Sequence, residues 1–216
     1  MAACRGCISR LCQSGRMGKR VVVMQRTAFA VAVGAVLWLS GCQTATVPVA
    51  GGATPVRAGA FAVAGPRGYC PDRGAGQQVG DTAVVLMGRC LAARKVPPAV
   101  LTVSVGPAGS AGAMTAGGDA LTGYFTAPEG RAALSRSGRA ADLVVVEAVG
   151  VGDAYFLHLN DRAAGAYWRA VVGLRGRLIT VSANGTDGAP LTPEVGRGLV
   201  EATLAALRRA NPGARP

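Results

Sequence analysis

Short apolar runs of strand length recur along most of the chain, and turn residues separate them. Residues 82–88 and 99–105 are compact runs of this kind. Turn residues at 150–153 and at 175–176 each separate two further runs, which predicts two antiparallel hairpins. The predicted strands are residues 61–63, 68–72, 82–88, 99–105, 142–149, 154–160, 166–174 and 177–183.

The strongest helix signal lies near the end of the chain. Thr192, Pro193 and Glu194 are residue types favoured at an N-cap, at the first helical position and in the first turn. Apolar residues then cover one broad face, and Arg208 and Arg209 suit the C-terminal end of a helix. The pattern therefore predicts a long amphipathic helix that packs on a sheet.

Two shorter helices are predicted at residues 119–125 and 128–134. The Gly- and Ala-rich segment 106–118 lacks the Gly-Lys-Ser/Thr sequence of a phosphate loop, and we expect it to be a plain loop. This order of elements predicts an α+β fold. In that fold an antiparallel sheet is packed by a C-terminal helix and by a shorter mid-chain helix.

Residues 167–182, together with Leu191 and the last helix, resemble the Mog1/PsbP-like fold. In that fold an antiparallel sheet lies between helices, so the resemblance implies an α/β/α sandwich. Many of its members are exported or lipid-anchored and lack enzymatic activity. A shared fold alone does not establish a function.

The beginning of the chain has the layout of a secretory signal. An uncharged apolar run follows Lys19, Arg20 and Arg26 and ends in the sequence Leu39-Ser40-Gly41-Cys42. This ending resembles the lipobox of bacterial lipoproteins. The resemblance implies cleavage before Cys42, a thioether link from Cys42 to diacylglycerol and acylation of the new amino group. A membrane-spanning helix is the alternative, but no positively charged stop-transfer sequence follows the run.

These signals divide the chain into three predicted parts. Residues 1–41 are a leader with a signal peptide, 42–60 a lipidated N-terminus with a flexible tether, and 61–212 a single globular domain. Translation could start at Met1, Met17 or Met24, and the pair Cys4 and Cys7 receives no function because it lies in the leader.

The chain carries a formal net charge of +12. Removal of residues 1–41 would leave 17 basic and 11 acidic residues, a net charge of +6. The basic residues are scattered and form no stripe interleaved with aromatic side chains, so nucleic-acid binding is not predicted. Association with anionic envelope polymers stays open.

Cys70 and Cys90 would be the two unlipidated cysteines of the mature chain. An exported protein meets an oxidising compartment, so we predict a disulfide between them. The disulfide would close a loop of about twenty residues, which would stabilise the fold by roughly 3 kcal/mol in the chain-entropy model. A redox pair is the alternative, but the spacing differs from Cys-x-x-Cys.

No catalytic or metal-binding set emerges from the remaining residues. His158 is the only histidine, and no nucleophile elbow or calcium-loop spacing occurs, so we predict no cofactor and no metal. Glu147, in an apolar run, is the expected buried acid. A hydrolase that uses Glu147 or Asp142 is the enzymatic alternative.

The chain also resembles uncharacterised alphaproteobacterial lipoproteins that share the start Gly68-Tyr69-Cys70 and a second cysteine like Cys90. The resemblance implies a cell-envelope protein that is lipid-anchored and faces the periplasm, with the outer membrane favoured. We therefore expect a non-enzymatic binding or support module. Its predicted partners are the membrane, through the anchor, and an envelope protein.

Overall fold

A computed structural model describes residues 56–58, 60–72 and 74–213, with side chains from residue 60 onward. The predicted signal segment 1–41, the lipidation site Cys42 and most of the predicted tether lie outside the described residues. All described residues belong to one compact unit, which spans Val47–Pro216.

The described residues contain ten β-strands. A two-stranded ribbon pairs β1 with β2, and an eight-stranded antiparallel sheet has the order β3-β5-β6-β10-β9-β8-β7, with β4 paired to β5. The strands are β1 (Val56–Ala58), β2 (Phe61–Val63), β3 (Tyr69–Pro71), β4 (Gln77–Val79), β5 (Thr82–Arg89), β6 (Ala99–Val105), β7 (Leu143–Val151), β8 (Ala154–Asp161), β9 (Gly165–Leu174) and β10 (Arg177–Gly185).

Tight turns join the two predicted hairpins. The turn between β9 and β10 uses Arg175 and Gly176, with φ of 50° and 71°. Positive φ at two adjacent turn residues matches the right-handed twist of the strands they join. Residues 150–151 were predicted to lie in a turn but belong to β7, and the turn narrows to residues 152–153.

One face of the sheet is covered by the long helix α3 (Pro193–Ala210), whose Thr192 side chain accepts a hydrogen bond from the N–H of Val195. Val200, Leu204 and Leu207 of α3 are at most 1% exposed. Asn211 at its end joins this layer to β2, because its side chain exchanges hydrogen bonds of 2.9 and 2.7 Å with the backbone of Ala62.

The opposite face carries two short helices, α1 (Gly118–Thr126) and α2 (Pro128–Leu134), preceded by a 3₁₀ segment, Ser110–Ala116. These helices pack a second apolar cluster against β8 and β9 that includes Phe125, Tyr155 and Leu157. The predicted fold class is therefore confirmed: an antiparallel sheet is packed by a C-terminal helix and by shorter mid-chain helices.

Two local differences from the sequence prediction stand out. The 3₁₀ segment occupies a stretch predicted to be a plain loop. Val56–Ala58, within the predicted tether, forms strand β1 with the register Val56↔Val63. Neither segment shows hydrophobic periodicity in its sequence, so pattern alone could not place them.

Candidate ligand-binding groove

The face of the sheet opposite α3 is only partly covered. Packing is complete over β8, but side chains of β5 and β6 that point to this side remain half-exposed. Alternate residues of a strand point to opposite faces, so one strand can be closely packed on one side and open on the other. In β6, Leu101 and Val103 are fully buried toward α3, whereas Thr102 and Ser104 are not.

A cavity of about 550 Å³ lies between α1, the 3₁₀ segment and the strands β9 and β10. This volume falls within the range of small-molecule sites. Apolar side chains form most of its wall, including Met114, Leu121, Phe125, Leu134 and Val171. Methionine adapts its shape to irregular ligands, which suits such a wall.

A second hollow of about 360 Å³ lies beside the first, over β5 and β6. The two hollows share Leu178 and Thr180 in their walls, and the second adds Val84, Ser104 and Pro107. We call the two together the sheet groove. It crosses four neighbouring strands, β5-β6-β10-β9, which at the usual strand spacing is about 14 Å. The sheet groove is therefore elongated.

The 3₁₀ segment forms one wall of the sheet groove and has no buried residue. Gly109 and Gly117 flank it with φ of 83° and 86°, values that L side chains rarely adopt. Its base is held by Ser110, whose Oγ accepts a hydrogen bond of 2.8 Å from the N–H of Leu178. The wall is thus attached at its base, and Met114 packs the rest of it against the apolar cluster of β8 and β9.

The other wall is fixed by α1 and its contacts with β8. The ring of Phe125 stacks on Tyr155 with centroids 5.7 Å apart, and the Thr122 and Tyr155 hydroxyls share a hydrogen bond. Gly130 of α2 lets the two helices meet closely, because a Cβ there would lie 2.0 Å from the carbonyl oxygen of Tyr124. This contact determines where α1 stands above the sheet.

Of the residues that the structure describes, Arg169 of β9 is the single charged one in the wall of the sheet groove. Its guanidinium lies 5.5 Å from the centre of the Tyr167 ring, and its Nε is buried without a hydrogen-bond partner. Among the described residues, no carboxylate lies within ion-pairing distance of it. A partly buried cation without a counter-charge is costly, so this guanidinium offers a site for an anion.

Two buried carboxylates brace the corner between α2 and β8. Asp161 is 1% exposed and accepts hydrogen bonds from the N–H groups of Arg136 and Ala163, at 3.0 and 2.8 Å. Burial acts to raise the pKa of Asp161, but these hydrogen bonds outweigh it and the pKa is lowered. The pKa of Asp142 is also lowered, by hydrogen bonds from Ser137 and then Arg139.

Glu147 was expected to be buried, and that expectation is wrong. A β-bulge between Val145 and Glu147 shifts the register of β7, an edge strand, and leaves the Glu147 side chain 47% exposed. Its carboxylate lies 3.5 Å from the guanidinium of Arg197 on α3. Glu147 and Asp142, the two residues of the hydrolase hypothesis, are thus each paired with a different arginine.

His158 is a packing residue on the α3 side. Its ring stacks on Trp168 with centroids 4.9 Å apart, and Arg197 lies 5.2 Å from the same Trp168 ring. Within the described part of the chain, no group of three or more His, Cys, Asp or Glu residues could hold a metal ion. The sheet groove lies on the opposite face.

Cys70 and Cys90 lie at disulfide distance, with their Cα atoms 5.1 Å apart. Cys70 is in β3, Cys90 follows β5, and these two strands pair antiparallel. The backbone N–H of Cys90 also donates to the carbonyl of Gly68. The pair therefore joins the ends of neighbouring strands, as predicted.

Sequence reasoning missed the sheet groove and Arg169. The available signal was one arginine in the middle of the apolar run 166–174, where a charge facing the core is unusual.

None of the helices in the described residues has both the length and the hydropathy needed to cross a membrane. Comparison of the chain with protein-family models, with curated proteins and with solved structures found no match.

Proposed function

We propose that this protein is a membrane-anchored binding module of the bacterial cell envelope, without enzymatic activity. Lipid on Cys42 would attach it to the membrane, with the outer membrane favoured, and its domain would hold an apolar ligand in the sheet groove. The observation that carries the proposal is the elongated apolar groove opposite α3. Such concave, mostly apolar sites with few polar groups are typical of ligand pockets.

The lining of the sheet groove favours binding over catalysis. Its residues include no His, Cys, Asp or Glu, the side chains that most often act as acid, base or nucleophile. The buried carboxylates at the corner between α2 and β8, Asp142 and Asp161, have lowered pKa values and therefore do not suit proton donation near neutral pH. A mostly apolar wall with one cation and a few hydroxyl groups is suited to holding a molecule.

The anchor is tested by the intact mass of the protein from its producing cells, before and after reduction. We expect a chain that begins at Cys42, carries acyl groups and gains two hydrogens when the Cys70–Cys90 bond is reduced. The variant Cys42→Ala should remain unprocessed and unacylated. A wild-type chain that keeps residues 1–41 would contradict the anchor and leave the binding proposal to its own test.

The binding site is tested by native mass spectrometry of the full chain, extracted from membranes with a polymer so that no detergent competes. We expect a small molecule bound to the wild-type protein. Thr180→Trp should abolish this binding, because Thr180 lies in the wall of both hollows. Leu91→Trp is the control, since Leu91 is 99% exposed. Equal ligand loads in both variants would overturn the proposal.

A further inference from the structure

We propose that the ligand of the sheet groove is a long-chain fatty acid, whose carboxylate pairs with Arg169 and whose chain lies across β10, β6 and β5. This inference rests on the proposed function and names the chemical class of its ligand. Two observations carry it: the shape and lining of the groove, and the position of a single unpaired guanidinium in it.

The position of Arg169 gives the groove one charged end and one uncharged end. Arg169 lines the larger hollow, over β9, and is absent from the smaller one, over β5 and β6. Val171, Thr180, Ser104 and Val84 lie opposite one another in neighbouring strands and line the groove, and Arg169 is two residues from Val171 on β9. The cation therefore stands toward one end of an elongated apolar trough. A linear molecule with one charged end matches this arrangement.

The lining argues for an acyl chain rather than a peptide. An extended peptide brings an N–H and a C=O at every residue, and each must find a partner when it is buried. The walls near α1 are built from Ala113, Met114, Leu121, Phe125 and Val171, whose side chains offer no hydrogen-bond donors or strong acceptors. An acyl chain has no such requirement, and each methylene group that it buries strengthens binding through the hydrophobic effect.

The head group is assigned by charge and geometry. A guanidinium presents a planar fork that matches a carboxylate in bidentate fashion. One cation balances one carboxylate, whereas a phosphate monoester, with about two charges near neutral pH, would be left half-compensated. Because Arg169 has no carboxylate partner among the described residues, a ligand does not have to displace an internal ion pair.

The 3₁₀ segment offers the entry route. It forms the wall near Met114, carries no buried residue and is flanked by the two positive-φ glycines, Gly109 and Gly117. None of its side chains is fully buried, but Met114 packs against the apolar cluster and Ala111 approaches Gly173, so outward movement of the segment has to break these contacts. The ligand can then enter from the side while α3 and its face of the sheet stay unchanged.

The test uses two photoreactive probes that differ only in the head group: a diazirine-bearing palmitic acid and the corresponding alcohol. The full chain is held in phosphatidylcholine nanodiscs, labelled by light, and the labelled peptides are identified by mass spectrometry. We expect the acid to label residues 110–134 and 169–180 about tenfold more than the alcohol, because hydrogen bonds to charged groups are worth this much.

Matched variants separate the head group from the groove. Arg169→Met should reduce labelling by the acid to the level of the alcohol, and Arg169→Lys should restore part of the preference. Arg209→Met, at an exposed position of α3, should leave the preference unchanged. Thermal unfolding of each variant shows whether it is folded, so that lost labelling is not confused with lost structure.

Three results would overturn the inference. Equal labelling by acid and alcohol that disappears in Thr180→Trp would keep the apolar site but refute the carboxylate assignment. Labelling by neither probe would contradict both the inference and the proposed groove function. A bound polypeptide in the native mass spectrum would replace the fatty acid by a peptide ligand.

Discussion

The two faces of the sheet differ in how completely they are packed. On the α3 face, Leu101, Val181 and Val200 show no exposed surface, because α3 packs on β9 and β10 and strand β2 adds Phe61 and Val63 to the same core cluster. Toward α1, the short helices cover β8 and β9, while the sheet groove stays open over β5, β6 and β10. One sheet thus has a face that stabilises the fold and a face that leaves room for a ligand.

Part of the difference follows from the lengths of the covering elements. Helix α3 has 18 residues, whereas α1 and α2 have nine and seven. At 1.5 Å per residue, α3 extends for about 27 Å and α2 for about 10 Å. Short helices cannot cover a broad sheet, so part of its surface remains available. The following predictions test this comparison.

The largest expected effect is a loss of packing on the α3 face. Leu204→Ala should reduce the free energy of unfolding by about 3 kcal/mol, because Leu204 is 1% exposed and its removal leaves a cavity. Leu121→Ala, in the wall of the groove, should cost about 1 kcal/mol, because solvent already reaches that site. Urea denaturation measures both, with Leu91→Ala as an exposed control. Equal losses at Leu204 and Leu121 would contradict the comparison.

A smaller effect is expected where α1 and α2 meet. Gly130→Ala should destabilise the protein by about 2 kcal/mol, since the added methyl group would overlap the carbonyl of Tyr124. It should also displace α1 and weaken ligand binding in the groove. Thermal unfolding and native mass spectrometry measure the two effects. An unchanged free energy of unfolding would show that α1 and α2 can move apart without an energetic penalty.

Low pH should destabilise the protein on the side of the sheet that carries the groove, because the buried carboxylates there become protonated. The pKa values of Asp161 and Asp142 are lowered in the folded protein. Their contribution to the free energy of unfolding is therefore complete above the pKa of about 3.9 in the unfolded chain, and it is lost as the pH falls through their pKa values in the folded protein. Asp161→Asn should reduce the free energy of unfolding by about 1.5 kcal/mol at neutral pH and should weaken the dependence of stability on pH in the acid range. Melting temperatures between about pH 6 and pH 2 measure this, with the exposed Asp187→Asn as control. An unaltered acid dependence in Asp161→Asn would contradict the assignment.

The smallest effect has the opposite sign. Gly198 lies on the exposed side of α3 with no atom near its potential Cβ. Gly198→Ala should therefore stabilise the protein by about 0.7 kcal/mol, as expected from helix propensity. Chemical denaturation measures the gain. A loss would mean that α3 has an unrecognised contact on its outer side.

Much of the secondary structure followed from local sequence, and the site did not. Strand β6 was predicted with its observed bounds, residues 99–105, and the cap at Thr192 forms as its residue type indicates. Glu147 was misplaced because a bulge shifts the register of an edge strand, and a bulge has no reliable signal in one sequence. Arg169 was visible as one scattered basic residue, but its missing partner could be recognised only from the surrounding side chains.

The sequence by itself determined the alternation of strands and helices and the fold class, because local periodicity encodes them. The predicted export and the number of cysteines indicated the pairing of Cys70 with Cys90. The tertiary structure alone decided that α3 and β2 pack one continuous core on one face, whereas the other face keeps a groove beside α1. Which strands become neighbours, and how far a helix reaches across them, depends on contacts between residues far apart in the chain. For this reason the sheet groove and the role of Arg169 emerge only once the packing is known.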